Sequence, residues 1–169
     1  EIIVTGATTF NIKYSPSILP PKLPDGYTII TTKDNKKHIV GKGVDLGTID
    51  FTNYDLNNLP TLEEVNLVKA IFKNTITLIR KKDNFKFSPK FTGTSGDILY
   101  KTYELKNTET FYPDGKKKSL DQFLIIGPGT NILDADLRKI SSLNVNISGA
   151  NLSLALLNKK TISDSTIVK

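Results

Sequence analysis

Thr130-Asn131-Ile132-Leu133-Asp134, Ala135-Asp136-Leu137-Arg138-Lys139 and Ala150-Asn151-Leu152-Ser153-Leu154 are pentads from one unbroken count of five that runs to the end of the chain. An aliphatic side chain recurs at Ile132, Leu137, Ile147, Leu152, Leu157, Ile162 and Ile167, and Ser142 is the one exception. An α-helix repeats every 3.6 residues and a strand every two, so neither needs a period of five. A strict short repeat instead predicts a chain wound on itself, with each pentad making one side of a turn. Such a rod presents surface, and nothing in the repeat itself builds a catalytic pocket.

The slots divide the labour. Two residues before each aliphatic stands a small or β-branched residue, as at Thr130, Ala135, Ile140, Val145, Ala150 and Ala155. Between the two stands a short polar residue, as at Asn131, Asp136, Ser141, Asn146 and Asn151. One small and one large inward position per pentad would fill a narrow core, while the polar residue bonds locally to the backbone and favours turns. Leu143 and Leu154 lie off this register, and Lys160 and Ser165 are poor inward residues, so the last pentads are expected to fray or to cap.

The pattern resembles that of the pentapeptide-repeat proteins, roughly Ala-Asp/Asn-Leu-x-x, standing here as Ala135-Asp136-Leu137 and Ala150-Asn151-Leu152. The resemblance implies a right-handed, four-sided β-helix of about 20 residues per coil, its coils stacked at roughly the inter-strand spacing of ~4.8 Å.

A second block lies upstream. Val44-Asp45-Leu46, Ile49-Asp50-Phe51 and Tyr54-Asp55-Leu56 open three pentads in register, and Val65-Asn66-Leu67, Ala70-Ile71-Phe72 and Thr75-Ile76-Thr77 resume it after one extra residue. Pro60 with Glu63-Glu64 fits either a short amphipathic helix over 59–73 or a coil carrying a one-residue bulge, and the resumed register favours the bulge. The aspartates Asp45, Asp50 and Asp55 share one slot, which predicts a ladder down one side, bonded to neighbouring backbone.

The segments between the blocks also repeat. Asn11-Ile12-Lys13-Tyr14-Ser15-Pro16 matches Asn84-Phe85-Lys86-Phe87-Ser88-Pro89, and Pro24-Asp25-Gly26 matches Pro113-Asp114-Gly115. Ile39-Val40-Gly41-Lys42-Gly43 matches Ile125-Ile126-Gly127-Pro128-Gly129, where the glycines mark a tight bend into the coil. Glu1–Ala7 reads as the tail of an earlier block. Tyr27–Thr32 and Lys37–Val40 flank the polar Lys33-Asp34-Asn35-Lys36, a β-hairpin signal. A hairpin or small sheet before each block would cover an open end that otherwise invites aggregation. The expected fold is therefore all-β: two short right-handed quadrilateral β-helix blocks, each preceded by a β-hairpin or small sheet. Repeat unit 1 is 1–83 (hairpin about 27–41, pentapeptide coils about 44–78). Repeat unit 2 is 84–169 (strands about 85–126, pentapeptide coils about 130–169).

Composition narrows the function. The 169 residues contain no cysteine, which excludes disulfides and thiolate metal sites, and no run approaches a membrane span. His38 is the one histidine, so a histidine-pair metal site is impossible. Gly41-Lys42-Gly43 lacks the spacing of a phosphate loop. Calcium would need convergent oxygens that the sequence does not supply, so no catalytic, cofactor-binding or metal-ligating residue is assigned. Some pentapeptide-repeat proteins resemble duplex DNA and bind DNA gyrase, which requires an acidic rod, whereas this chain carries a net charge of +6. Its basic residues are 21 lysines and only Arg80 and Arg138, clustered in predicted loops such as Lys116-Lys117-Lys118, which disfavours nucleic-acid recognition.

The unit layout is similar to tandem pentapeptide-repeat proteins of giant DNA viruses. That likeness implies a non-enzymatic structural protein without a small-molecule substrate, assembling with itself into a rod, filament or layer on a virion or extracellular surface, with other virion or surface proteins as further partners. The competing expectation is a soluble protein- or glycan-binding module using the loops at 90–97 and 113–121.

Overall fold

Where described, the pentads close with reverse turns. The amide of Ile49 donates to the carbonyl of Leu46 (3.1 Å), Tyr54 to Phe51 (2.8 Å), Ala70 to Leu67 (3.1 Å), Ala135 to Ile132 (3.2 Å), Ile140 to Leu137 (3.0 Å) and Ala155 to Leu152 (3.0 Å). The polar slot residue fixes the same bend from outside, because its side-chain oxygen accepts the amide two residues on. This bond is 2.8 Å at Asp45 and Asp50, 2.9 Å at Asp55, 3.1 Å at Asn66, 2.8 Å at Asn146 and 3.0 Å at Asn151. Short Asx side chains suit this local bond, which is why the slot is written in Asp and Asn.

The structure is a computed structural model that describes residues 22–80, 85–91, 100–111, 117–140, 143 and 145–158, with side chains described outside 107–120. It is all-β, and the described residues contain no α-helix. The Glu1–Ala7, Asn11–Pro16 and Pro113–Gly115 matches, the loop at 92–96 and the pentads after 158 lie outside the described residues.

The turns bring the chain back alongside itself. Parallel bridges join Asp45 to Asn66, Asp50 to Ile71 and Asp55 to Ile76 at a constant step along the chain, and then Ile76 to Asn131. In the second block Asn131 bridges Asn151 and Asp136 bridges Leu156, a step shorter by one position. That difference is the expected extra residue of the first block. It falls where Glu64 takes a left-handed φ of 57° and where the pairing shifts register between Glu63 and Asn66. A 3-10 turn at Leu56–Asn58 and strand β3 (Leu62–Asn66) occupy this region in place of a helix. The three aspartates do not form the expected ladder down one side: Asp45, Asp50 and Asp55 bridge Asn66, Ile71 and Ile76 and not one another.

Corners are set by left-handed residues that also stack. Asn53 (φ 61°), Asn74 (52°), Gly129 (71°) and Gly149 (67°) follow one another, linked by Asn53 N–H to Lys73 O (3.1 Å), Asn74 N–H to Gly129 O (2.6 Å) and Gly129 N–H to Ser148 O (2.9 Å). Asp134 (61°) and Leu154 (59°) form a second such pair, with Asp134 N–H donating to Ser153 O at 2.9 Å.

Hairpins and a sheet complete the fold. β1 (Thr28–Thr31) pairs antiparallel with β2 (Lys37–Val40), in the expected place. β3 pairs in parallel with β5 (Phe87–Lys90). β4 (Leu78–Ile79), β7 (Lys117–Ile126) and β6 (Lys101–Phe111) form a sheet in the order β4-β7-β6.

This sheet separates two cores. Ile79, Phe123 and Ile125 pack on one side with Phe51, Leu56 and Phe72. Leu78, Leu124 and Ile126 pack on the other with Ile132, Leu137 and Leu143. The end of β7 from Gln122 to Ile126 is thus buried on both faces, which explains its uninterrupted run Phe123-Leu124-Ile125-Ile126. Thr77, between the blocks, donates its Oγ1 to Ile125 O at 2.6 Å.

Candidate functional site

The residues with chemical potential are absorbed into local structure. His38 lies on β2, opposite Ile30, 5% exposed and turned toward the first core. Glu63 sits between Lys42 (2.9 Å) and Lys86 (3.4 Å). The Lys42 bond holds its carboxyl below the usual range, opposed by partial burial and reinforced by Lys86. Glu64 follows in left-handed backbone, its amide donating to Ser88 Oγ at 3.0 Å, so the two glutamates do not converge on one point. Gly41-Lys42-Gly43 and Gly127-Pro128-Gly129 each make a bend whose last glycine is left-handed (φ 70° and 71°), followed by a weak turn bond of 3.4 Å and 3.3 Å.

One depression of about 350 Å³ opens on the side where the two blocks meet, lined by Asp55, Asn57, Ile76, Arg80, Asn131 and Leu133 among others. Its polar groups are turned toward one another. Asn57 Nδ2 donates to Asp55 Oδ1 (2.7 Å) and to Leu78 O (3.0 Å), and its Oδ1 accepts the Arg80 amide (3.1 Å). The Arg80 guanidinium reaches into the second block, where Nη2 donates to Asp134 O (2.6 Å) and approaches Asp134 Oδ2 (3.2 Å). Its Nε is buried and meets no acceptor among the described residues. The rim is apolar, with Ile76 40% and Leu133 45% exposed. The arrangement is a strap across three successive turns, and it lacks a nucleophile beside a base. Sequence reasoning had no signal for it, because Arg80 stands just past the first block, outside the pentad slots.

Among the described residues no group of three or more His, Asp or Glu side chains could hold a metal ion, and no helix is long and apolar enough to cross a membrane. The loop at 90–97 has only its first two residues in the described set, and that at 113–121 lacks its tip. Neither a family model, nor a curated protein, nor a solved structure matches the chain.

Proposed function

We propose that the chain is a non-enzymatic structural repeat protein. It is read as two pentapeptide-repeat units, 1–83 and 84–169, whose pentads form short right-handed quadrilateral β-helix blocks and whose units stack into a rod, filament or surface layer. The observation that carries this reading is the junction between the blocks. Asn131 N–H donates to Thr75 O (2.7 Å) and Thr77 N–H to Asn131 O (3.0 Å), so the ladder of the first block continues into the second. A chain that stacks one unit on the next by backbone bonds and a shared sheet has a means of adding further units. Repeat units of this kind bury a continuous core only through their neighbours.

The polar groups of the side depression bond to one another, which supports a structural role over a catalytic one. Sedimentation velocity with electron microscopy over a wide concentration range tests the reading: elongated oligomers that grow with concentration are expected. A species that remains a monodisperse monomer at the highest concentration overturns it.

A further inference from the structure

The two hairpins stand in the same relation to the blocks that follow them. In β1–β2 the register pairs Val40 with Thr28 and Ile39 with Ile29; in β6–β7 it pairs Ile126 with Lys101 and Ile125 with Thr102. The sequence match of Ile39-Val40-Gly41 with Ile125-Ile126-Gly127 lays these pairs on one another, His38 falling on Leu124 and Lys37 on Phe123. The sides agree as well. Val40 packs into the core of its own block, as Leu124 and Ile126 do into theirs.

The opposite sides differ in what covers them. On β7, Phe123 and Ile125 are buried in the core they share with the preceding block, 6% and 0% exposed, with the Phe123 ring against Phe85 and Phe87. On the first hairpin the corresponding positions carry Ile29, Ile39 and Lys37, all only partly buried, and Thr31, which is exposed.

A complementary gradient lies at the far end of the second block. Inward residues of the inner turns, such as Leu46, Phe72, Ile132 and Leu137, are 0% or 1% exposed. In the last described turn Ile147 and Leu152 are only partly buried and Leu157 is 37% exposed. By the block match Leu152 and Leu157 stand where Leu67 and Phe72 stand in the first block, and Leu67 and Phe72 share one core with Phe123 and Ile125 of β7.

We propose that the outer side of β1–β2 in one copy seats on the Ile147/Leu152/Leu157 ring of a second copy, reproducing between molecules the junction that β7 makes within one. The partner is a second copy of this chain, added head to tail. Such a contact uses two different surfaces and therefore propagates instead of closing. Lys37 stands where the internal junction has Phe123, so its methylene stem covers the ring while its amino group reaches the rim. Each copy carries +6, so like-charged copies repel at low ionic strength and salt favours growth. The inference rests on the assembly reading above and specifies its surface.

The test uses the full chain and two variants, Ile29→Glu and Leu157→Glu, each placing a carboxylate in the seat. Circular dichroism and thermal melting check that both fold; Ile29→Thr replaces Ile29→Glu should the latter fail to fold. Sedimentation velocity is run at about 0.5 M salt, where the screening length falls well below its value of ~10 Å at about 0.1 M. Each variant alone is expected to lose association by at least about tenfold. Mixed together they are expected to form dimers that do not grow, because each supplies one intact surface. Variants that assemble as the wild type does place the contact elsewhere and overturn the seat while leaving the assembly reading intact. Dimers formed by one variant alone indicate a two-fold contact and overturn the head-to-tail arrangement. A wild type that never associates overturns the reading beneath it.

Discussion

Leu154 offers a test of the corner geometry because a leucine there works against the backbone. It holds φ at 59°, in the left-handed region, and its side chain is 78% exposed. A non-glycine residue in that region costs about 1–2 kcal/mol, and an exposed side chain returns little of this through burial. Leu154→Gly removes the strain but adds about 0.4–1 kcal/mol of unfolded-state entropy, which leaves a net stabilisation of about 0.5–1 kcal/mol. Leu154→Asn keeps the side chain's restriction of the unfolded chain while tolerating the left-handed region, so it should do at least as well. Gly149→Ala runs the other way. At φ 67° the added Cβ would meet nothing closer than Gly129 Cα at 4.0 Å, so its cost is backbone strain alone, about 1 kcal/mol. For a chain of this size that corresponds to shifts of about 2–4 °C in Tm per kcal/mol. Thermal melts paired with urea titrations should show Leu154→Asn above the wild type and Gly149→Ala below it. If Leu154→Asn destabilises, or Gly149→Ala is neutral, the corners are not built on stacked left-handed residues.

Two further perturbations probe the junction and the second block. Thr77→Val removes the buried 2.6 Å bond to Ile125 O at equal shape and should cost about 1–3 kcal/mol, read as a lower urea midpoint at unchanged slope. A shallower transition would mean that the blocks unfold separately. Asp136 is 4% exposed, and the Arg138 guanidinium beside it (2.9 Å from Nε and from Nη2) holds its carboxyl below the usual range against the opposing effect of burial. A carboxyl whose folded pKa is depressed contributes stability above its unfolded value, near ~3.9, and loses it as pH falls through the folded value. Asp136→Asn should therefore be less stable at neutral pH and lose less than the wild type as urea midpoints are followed from pH 5 to pH 2; parallel profiles would remove Asp136 from the acid response.

The pentads were legible because two demands coincide at each slot. The inward residue is apolar, and where the residue before it is Asp or Asn its side chain takes the amide two positions on, so Leu137 and Asp136 or Leu152 and Asn151 announce themselves together. The corners were not legible, since Asn53, Asn74, Asp134, Gly149 and Leu154 share a backbone conformation without sharing a residue type. The aspartate ladder expected from the shared slot fails for a related reason. Residues one pentad apart share a slot without bridging one another, and the bridges join residues about four pentads apart, such as Asp45 and Asn66 or Asn131 and Asn151. The pairing of β4 with β7 escaped because Leu78 and Ile79 alone carry too little pattern to specify a strand. The strap from Arg80 to Asp134 escaped because it joins an irregular stretch to a corner.

The sheet between the cores explains why the two hairpins look unlike each other while doing equivalent work. A strand with one buried face alternates, and a strand buried on both faces reads as a continuous apolar run. β2 reads Lys37-His38-Ile39-Val40, with polar residues at half its positions, whereas β7 ends in the run Phe123-Leu124-Ile125-Ile126. Their registers coincide at the block end, where Thr28 faces Val40 in one hairpin and Lys101 faces Ile126 in the other. The chain between Lys101 and Ile126 is longer than that between Thr28 and Val40, so the added length falls in the second hairpin's arms and loop. Added length at a hairpin tip leaves the strands' paired ends unchanged, which is how the second hairpin is longer with the same register at its block end. Phe123, whose ring packs on Phe85 and Phe87, stands where the first hairpin carries the partly buried Lys37. It marks, in a single residue, the difference between a hairpin with a block packed on each face and one whose outer side is still only partly covered.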